Sequence, residues 1–577
     1  SETNDDDRVN SNSGPSGISR FSNSRRGGSP TAGLSFMGSN FKNNTKVNST
    51  VAELNSIFSN KVSNQLIASY TRNQPVRIPN SAFPFADIMN GSNVYISLGT
   101  DLYSYENKID DKAYNIADNV TLNFGKHSVT AGASYDYFAV KNFFADAGGP
   151  SYYRFASLQD FLDNKAPIFF ALTYGYDQKN PGYIPPAEAT FGQVSVYAQD
   201  AWSINENFKL TYGLRIDKPL YTFDASKNPA LQEVTFKDVD GSNETFDVSQ
   251  WPKSRLLFSP RIGFSYNIED ENTVIRGGTG IFTGRIPFIW LSNQVADNGV
   301  LRSIWTVSSP ADLVNYPFSP DRSTYFSKIP ISAPGTTIPS GRPSYSATVP
   351  DFKMPQVWRT SLAFDKKFAT NYTFTIEGIF TKLINNVYFR NANLGLQNGI
   401  LNAPGDGRPY YTPRLNDNIS VMTVMDNTNK GYSAVFTAQV QRSFSKNWAG
   451  SLAYTYTFAN DLNIGTSDRA SSSWSTNNIV NNPNQPELSY SNFSIPHRVI
   501  ASFSYKFNYL KDNMATTIGL YYSGSSQERY HFRYSNDVNG DGQTNDLIYI
   551  PADPSQITFV EGFKVGNKTY TAQQQKD

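Results

Sequence analysis

Two alternations, one nested inside the other, run through this chain. The finer one is residue by residue. In "NVTLNFGKHSVTAGASYDYF" (119–138), Val120, Leu122 and Phe124 alternate with Asn119, Thr121 and Asn123. After Gly125-Lys126 the pattern resumes with Val129, Ala131, Ala133, Tyr135 and Tyr137 against polar or small neighbours. A period of two predicts a β-strand with one apolar and one polar face, and two such strands around a short Gly-containing turn predict a hairpin. The coarser alternation is in the connections. "STVAELNSIFS" and "NQLIASYTR" flank "NKVS"; "FGQVSVYAQDAW" and "FKLTYGLRID" flank "SINEN"; "PRIGFSYNI" and "TVIRGGTGIF" flank "EDEN". "VWRTSLAFD" and "YTFTIEGIF" flank "KKFATN"; "YSAVFTAQVQRSF" and "WAGSLAYTYTF" flank "SKN"; "RVIASFSYKF" and "ATTIGLYYS" flank "NYLKDN". Each hairpin closes through a few residues, whereas the segments between hairpins (139–190, 218–256, 284–354, 383–430, 459–496 and 523 onward) are long. About fourteen strands of ~10 residues, with short turns on one side and long loops on the other, predict an all-β, antiparallel transmembrane barrel with periplasmic turns and extracellular loops. A soluble sandwich would have short loops at both ends.

The faces agree with that fold class. In "FKLTYGLRID", Phe208, Leu210, Tyr212, Leu214 and Ile216 share one side, and Lys209, Thr211, Gly213, Arg215 and Asp217 the other. Glu377 lies opposite Phe374, Ile376 and Phe380. A mid-strand charge is costly against lipid but acceptable in a wet lumen. Val120, Leu122, Leu210, Leu214, Phe374 and Ile376 are therefore expected to face lipid, and Arg215 and Glu377 the lumen. Residues 1–47, rich in Ser, Asn, Gly and Arg, have loop or disorder composition, which leaves 48–577 as the barrel portion.

Composition removes other classes. Lys and Arg (50) balance Asp and Glu (49), which argues against a nucleic-acid partner. There are no cysteines, hence no disulfide, thiolate site or cysteine nucleophile, and only three histidines, His127, His497 and His531. No apolar run approaches the ~20 residues of a membrane-spanning helix. The apolar content is unusually aromatic, with 40 Phe and 35 Tyr, as suits strands and bilayer interfaces. A hydrolase on the barrel wall would need a Ser–His pair, for which His497 among many serines is weak material; no enzyme is expected.

"VSVYAQDAWSINENFKLTYGLRID" resembles the barrel hairpin of TonB-dependent outer-membrane receptors, and "SPRIGFSYNIEDENTVIRGGTGIFTGRIPFIWLSNQ", "IPHRVIASFSYKF" and "DVNGDGQTNDLIYIP" resemble its Oar-like branch more narrowly. The resemblance spans residues 40–555. It implies a barrel of twenty-two strands around an N-terminal plug. It also implies coupling to TonB in the periplasm and, in Oar-like members, a leading β-sandwich. Neither a plug nor a coupling motif is visible before residue 48, and the end, "YTAQQQKD", lacks the aromatic-ended final strand, so the chain reads as the middle of a longer barrel. In the family pattern Arg261 and Arg276 point into the lumen toward the plug; as residues they are equally ordinary lumen charges paired with carboxylates. The implied function is an outer-membrane receptor or transporter whose loops bind a ligand. The alternative is a non-transporting scaffold holding surface lipoproteins or other outer-membrane proteins.

Three local features remain. "DVNGDGQTND" spaces Asp537, Asn539 and Asp541 as in a calcium loop, with Gln543 at the backbone-carbonyl position and Asp546 as a substitute last ligand. A structural Ca²⁺ is the one cofactor expected; the other reading is a polar turn satisfying its own backbone. "TGRIPFIWLSNQ" (283–294) is either a loop folded inward over the pore or part of an aromatic girdle. Tyr152, Tyr153, Tyr174, Tyr410 and Tyr411 are either ligand contacts or loop packing.

Overall fold

The computed structural model describes residues 2–8 and 34–577, apart from 92, 146–148, 223–225, 332, 340–341, 370, 404, 464–466, 468, 512 and 567. Seven hairpins make the wall: β1 Phe41–Ile57 with β2 Val62–Pro79, β3 Lys108–Phe124 with β4 His127–Phe143, and β5 Ala187–Ser203 with β6 Phe208–Tyr221. They continue with β7 Leu257–Ile268 and β8 Thr273–Thr283, then β9 Gln356–Phe368 and β10 Tyr372–Asn391. The last are β11 Tyr432–Ser445 with β12 Trp448–Asp461, and β13 His497–Tyr509 with β14 Met514–Ser525. Each hairpin pairs antiparallel with the next, so one ladder runs from β1 to β14. Sequential antiparallel pairing is what hairpins with short turns enforce.

The turns explain the regularity. At Lys446-Asn447 both residues have positive φ (45° and 72°), the two-residue geometry whose twist matches that of the flanking strands. Asn205 Oδ1 accepts from the N–H groups of Asn207 and Phe208, and Asn272 takes the left-handed conformation at the end of 269–272. The strands are longer than the expected ~10 residues: β10 alone covers 20 residues and extends past its last outward apolar positions into the long-loop side. The wall also starts earlier than expected. Residues 41–47 belong to β1, and Glu2–Arg8 pairs antiparallel with Phe41–Lys46, so the stretch 1–47 is not all loop; residues 9–33 lie outside the described residues.

The long connections are packed. Five short strands from them, with Leu34–Ser35 from the segment before β1, form a second sheet in the order Arg302–Val307, Phe169–Gly175, Tyr152–Phe155, Phe85–Asn90, Asn93–Leu98 and Leu34–Ser35. Its core buries Tyr153, Phe155, Phe170 and Leu172 completely.

Candidate functional site: inner wall and its apolar layer

Two helices decide which side of the wall is inside. Helix α1, Phe288–Ala296, sets Phe288 against Phe138 of β4 (ring centroids 4.4 Å) and Phe191 of β5 (4.6 Å). Two residues on, Trp290 meets Phe389 of β10 edge-on at 5.2 Å. One short helix touches strands this far apart in the ladder only from the concave side. The segment 283–294 therefore folds inward, which settles the choice left open by its sequence. Helix α2, Ala470–Ser475, joins it: Asn293 Oδ1 accepts from the Ala470 N–H at 3.1 Å, and Trp290 Nε1 donates to the Ser467 carbonyl at 2.9 Å. Leu257, Leu291, Phe352, Val387, Phe389, Met425 and Trp474 unite in one buried cluster, an apolar layer against the inner wall at its long-loop end. Arg285 forms an ion pair with inward-facing Asp136.

Register carries this inside face around the wall, because directly opposed residues point the same way. From Phe191 the inward set continues to Tyr197, which opposes Arg215; Gly213 opposes Arg261, Arg261 opposes Gly280, and Gly280 opposes Arg359. Ser265 opposes Arg276, Arg276 opposes Ala363, and Ala363 opposes Glu377. All four residues expected in the lumen thus lie on one side. Arg276 is bound to Asp365 (2.9 Å) and Glu377 (3.4 Å), and Arg215 to Asp217 (2.9 Å). Arg261 instead stacks over Phe282, 4.4 Å from the ring centroid. Arg359, which the sequence reading did not single out, donates to Thr381 Oγ1 at 3.1 Å. Its strand reads "VWRTSLAF", where the alternation is too weak to flag an inward arginine.

The opposite side carries Val120, Leu122, Leu210, Leu214, Phe374 and Ile376, through Ala131–Val120, Ala198–Leu214 and Phe364–Ile376. Leu214 and Ile376 are 42% and 48% exposed, as an apolar face with no protein over it requires. Rings gather on this side in two bands. Phe124, His127 and Trp202 stack near the short turns, and Tyr70, Tyr114 and Tyr137 cluster ten or so positions further along. That separation corresponds to ~25 Å of apolar band on tilted strands. Between the bands the side is not wholly apolar. Asp118 shares it and accepts from Asn64 Nδ2 at 2.7 Å.

Among the described residues no histidine ring is hydrogen-bonded to a serine hydroxyl. The His497 ring bonds Tyr454 Oη (2.7 Å), and only its backbone N–H reaches Ser526 Oγ (3.2 Å). His127 pairs with Asp200 at 2.7 Å, and Tyr212 donates to the same carboxylate. Of the loop tyrosines, Tyr152, Tyr153, Tyr174 and Tyr411 are buried, as loop packing requires, and Tyr410 alone of the five is exposed.

In the 537–546 loop the oxygens serve the loop itself. Asp537 accepts from the Gly540 and Gly542 N–H groups at 2.7 and 2.8 Å, which both glycines allow by taking positive φ. Asp541 Oδ1 accepts from Gln543 N–H, and Asn539 Oδ1 from Asp541 N–H. Asp546 accepts from Val538 N–H and faces Arg408 at 3.5 Å. Among the described residues no three acidic or histidine side chains gather as a metal-holding group. Burial, with Asp537 and Asp546 nearby, raises the Asp541 carboxyl to about 6.

The sequence matches the family model described as the outer membrane beta barrel domain over residues 6–521. The chain belongs to this family. It is an outer-membrane protein whose large antiparallel sheet is the barrel wall. Among solved structures it is similar to the outer membrane transporter YddB from Escherichia coli, with a TM-score of 0.50 and 10% identity over 82% of this chain and 50% of that one. It is also similar to the FrpB iron transporter from Neisseria meningitidis (TM-score 0.42, 11% identity, 81% and 50% covered). A third is the ferric yersiniabactin uptake receptor FyuA from Yersinia pestis (TM-score 0.39, 8% identity, 88% and 52% covered). The barrel chain spans about half the length of each. A search of curated proteins by sequence found no match.

Proposed function

We propose that this barrel chain supplies wall and outer mouth to a TonB-coupled receptor that admits a solute from outside. The observation that carries the reading is the apolar layer of α1 and α2 across a charged, polar inner wall. A permanently open pore has no use for such a seal, and a seal held by a helix and side-chain contacts can be displaced. Family membership and the likeness to an outer-membrane transporter support the same direction, and the motif resemblance supplies TonB as the energy source. The alternative, a scaffold, draws on the second sheet folded from the long connections, a platform for surface proteins.

Leu291 tells the two apart. It is 3% exposed within the seal, and the chain has no cysteine of its own. In intact cells, Leu291→Cys should react with an external maleimide several-fold faster when the inner membrane is energised than after a protonophore. An equally slow reaction in both states would support the scaffold and reject energised opening.

A further inference from the structure

Two guanidinium groups at one level of the inner wall have no carboxylate within ion-pair distance among the described residues. Arg215 and Arg276 have acidic partners, but among the described residues neither Arg261 nor Arg359 has one within ion-pair distance. Arg261 has only the Phe282 ring, and Arg359 only the Thr381 hydroxyl. Both are exposed to the lumen. They stand at one level of the wall with Gly280 between them in register, so their backbones are two strand spacings, or ~9–10 Å, apart.

The surface between and beside them is thinned of side chains, with Arg215, Tyr197, Ser259 and Ser361 at its edges. Gly213, Gly263 and Gly278 point inward next to the two arginines and line, with them, a recess of about 480 Å³. Inward glycines on three adjacent strands remove side chains where a barrel wall would normally carry them, and such positions mark close approach by a ligand or another backbone. A Cβ at Gly213 would lie 2.6 Å from the Gln199 Cβ, and one at Gly280 2.9 Å from the Arg261 Cγ, so the glycine at 280 also leaves room for the arginine stem. Thr211 and Gln199 add neutral donors at the rim.

We infer that this recess is a station for a small multivalent oxyanion, held by forked hydrogen bonds from Arg261 and Arg359 while it rests on the glycine floor. Guanidinium forks match carboxylate and phosphate oxygens in pairs, and two forks flanking a glycine-rich floor suit a solute with anionic groups at both ends. The inference rests on the reading of the lumen as a solute path and names the charge class of the solute.

The test uses the full chain in detergent micelles, with titration calorimetry against citrate, inorganic pyrophosphate and hexaglutamate. One or both small anions should bind with an affinity that falls as salt rises. The Arg261→Gln/Arg359→Gln variant should weaken binding by about tenfold or more. Arg442→Gln, which removes an outward arginine lying over the Trp448 ring, should leave it unchanged, and strand circular dichroism would show that each variant is folded. Citrate alone or pyrophosphate alone would name the oxyanion as carboxylate or phosphate. Hexaglutamate binding tenfold tighter than either would assign the arginines to an acidic polypeptide and overturn the inference. No binding of either small anion at millimolar concentration, or binding unchanged in the double variant, would also overturn it. Failure of the Leu291→Cys labelling would remove the transport reading and leave anion binding standing.

Discussion

Leu210 and Leu214 lie on the same strand and the same face, four residues apart, yet the cost of charging them should differ. Leu210 is paired with Trp202, inside the ring band near the short turns, whereas Leu214 is paired with Ala198, well into the apolar band. Leu214→Arg should therefore destabilise the folded barrel by about 2–4 kcal/mol, and Leu210→Arg by only ~0–1 kcal/mol. Thr211→Arg, on the lumen side between them, should be nearly neutral. Urea unfolding in micelles measures all three, and equal losses would contradict the assignment of faces. The sequence pattern gave the face of each residue because a period of two is a local property. It did not give depth, which depends on register with neighbouring strands. For the same reason it left Asp118 unnoticed on the outward side, where Asn64, from a different hairpin, supplies its hydrogen bond.

At the scale of elements, all seven hairpins were legible, since each is a local pattern closed by a local turn. The loops were not. α1 has apolar residues in "FIWLSNQVA" but no side-chain cap, and its place is fixed by Phe138, Phe191 and Phe389, which lie roughly 100–150 positions away along the chain. The 537–546 loop shows the same limit. Its spacing is that of an ion loop, while its geometry turns the oxygens onto glycine N–H groups and Arg408. Its pH dependence follows from Asp541, whose folded value of about 6 lies above the ordinary 3.8. A raised carboxyl favours the closed loop while protonated, so its contribution is complete below pH ~4 and is lost as pH rises through 6. Amide exchange across 537–546, corrected for intrinsic rate, should be slower at pH 5 than at pH 7.5, and Asp541→Asn should flatten the difference. Protection at pH 7.5 that appears with calcium and vanishes with chelator would show instead that the loop closes on an ion.

For the whole molecule, one surface divides two solvents. The outward side offers Leu214, Ile376, Phe436 and Leu452 between its ring bands; the inward side offers arginines, carboxylates and bare glycines beneath an apolar seal. Both the seal and the oxyanion station have meaning only if that division holds along each strand. Strand β6 is the place to measure it, because its register with β5 and β7 is continuous and the native chain has no cysteine to remove. Spin labels placed one at a time at positions 209–216, with the protein in lipid bilayers, report collision with oxygen, which partitions into lipid, and with a water-soluble nickel complex. Oxygen accessibility should peak at 210, 212, 214 and 216 and nickel accessibility at 209, 211, 213 and 215, two period-two curves out of phase. Curves in phase, or nickel reaching both sets equally, would contradict a barrel wall with lipid on one side and a wet lumen on the other.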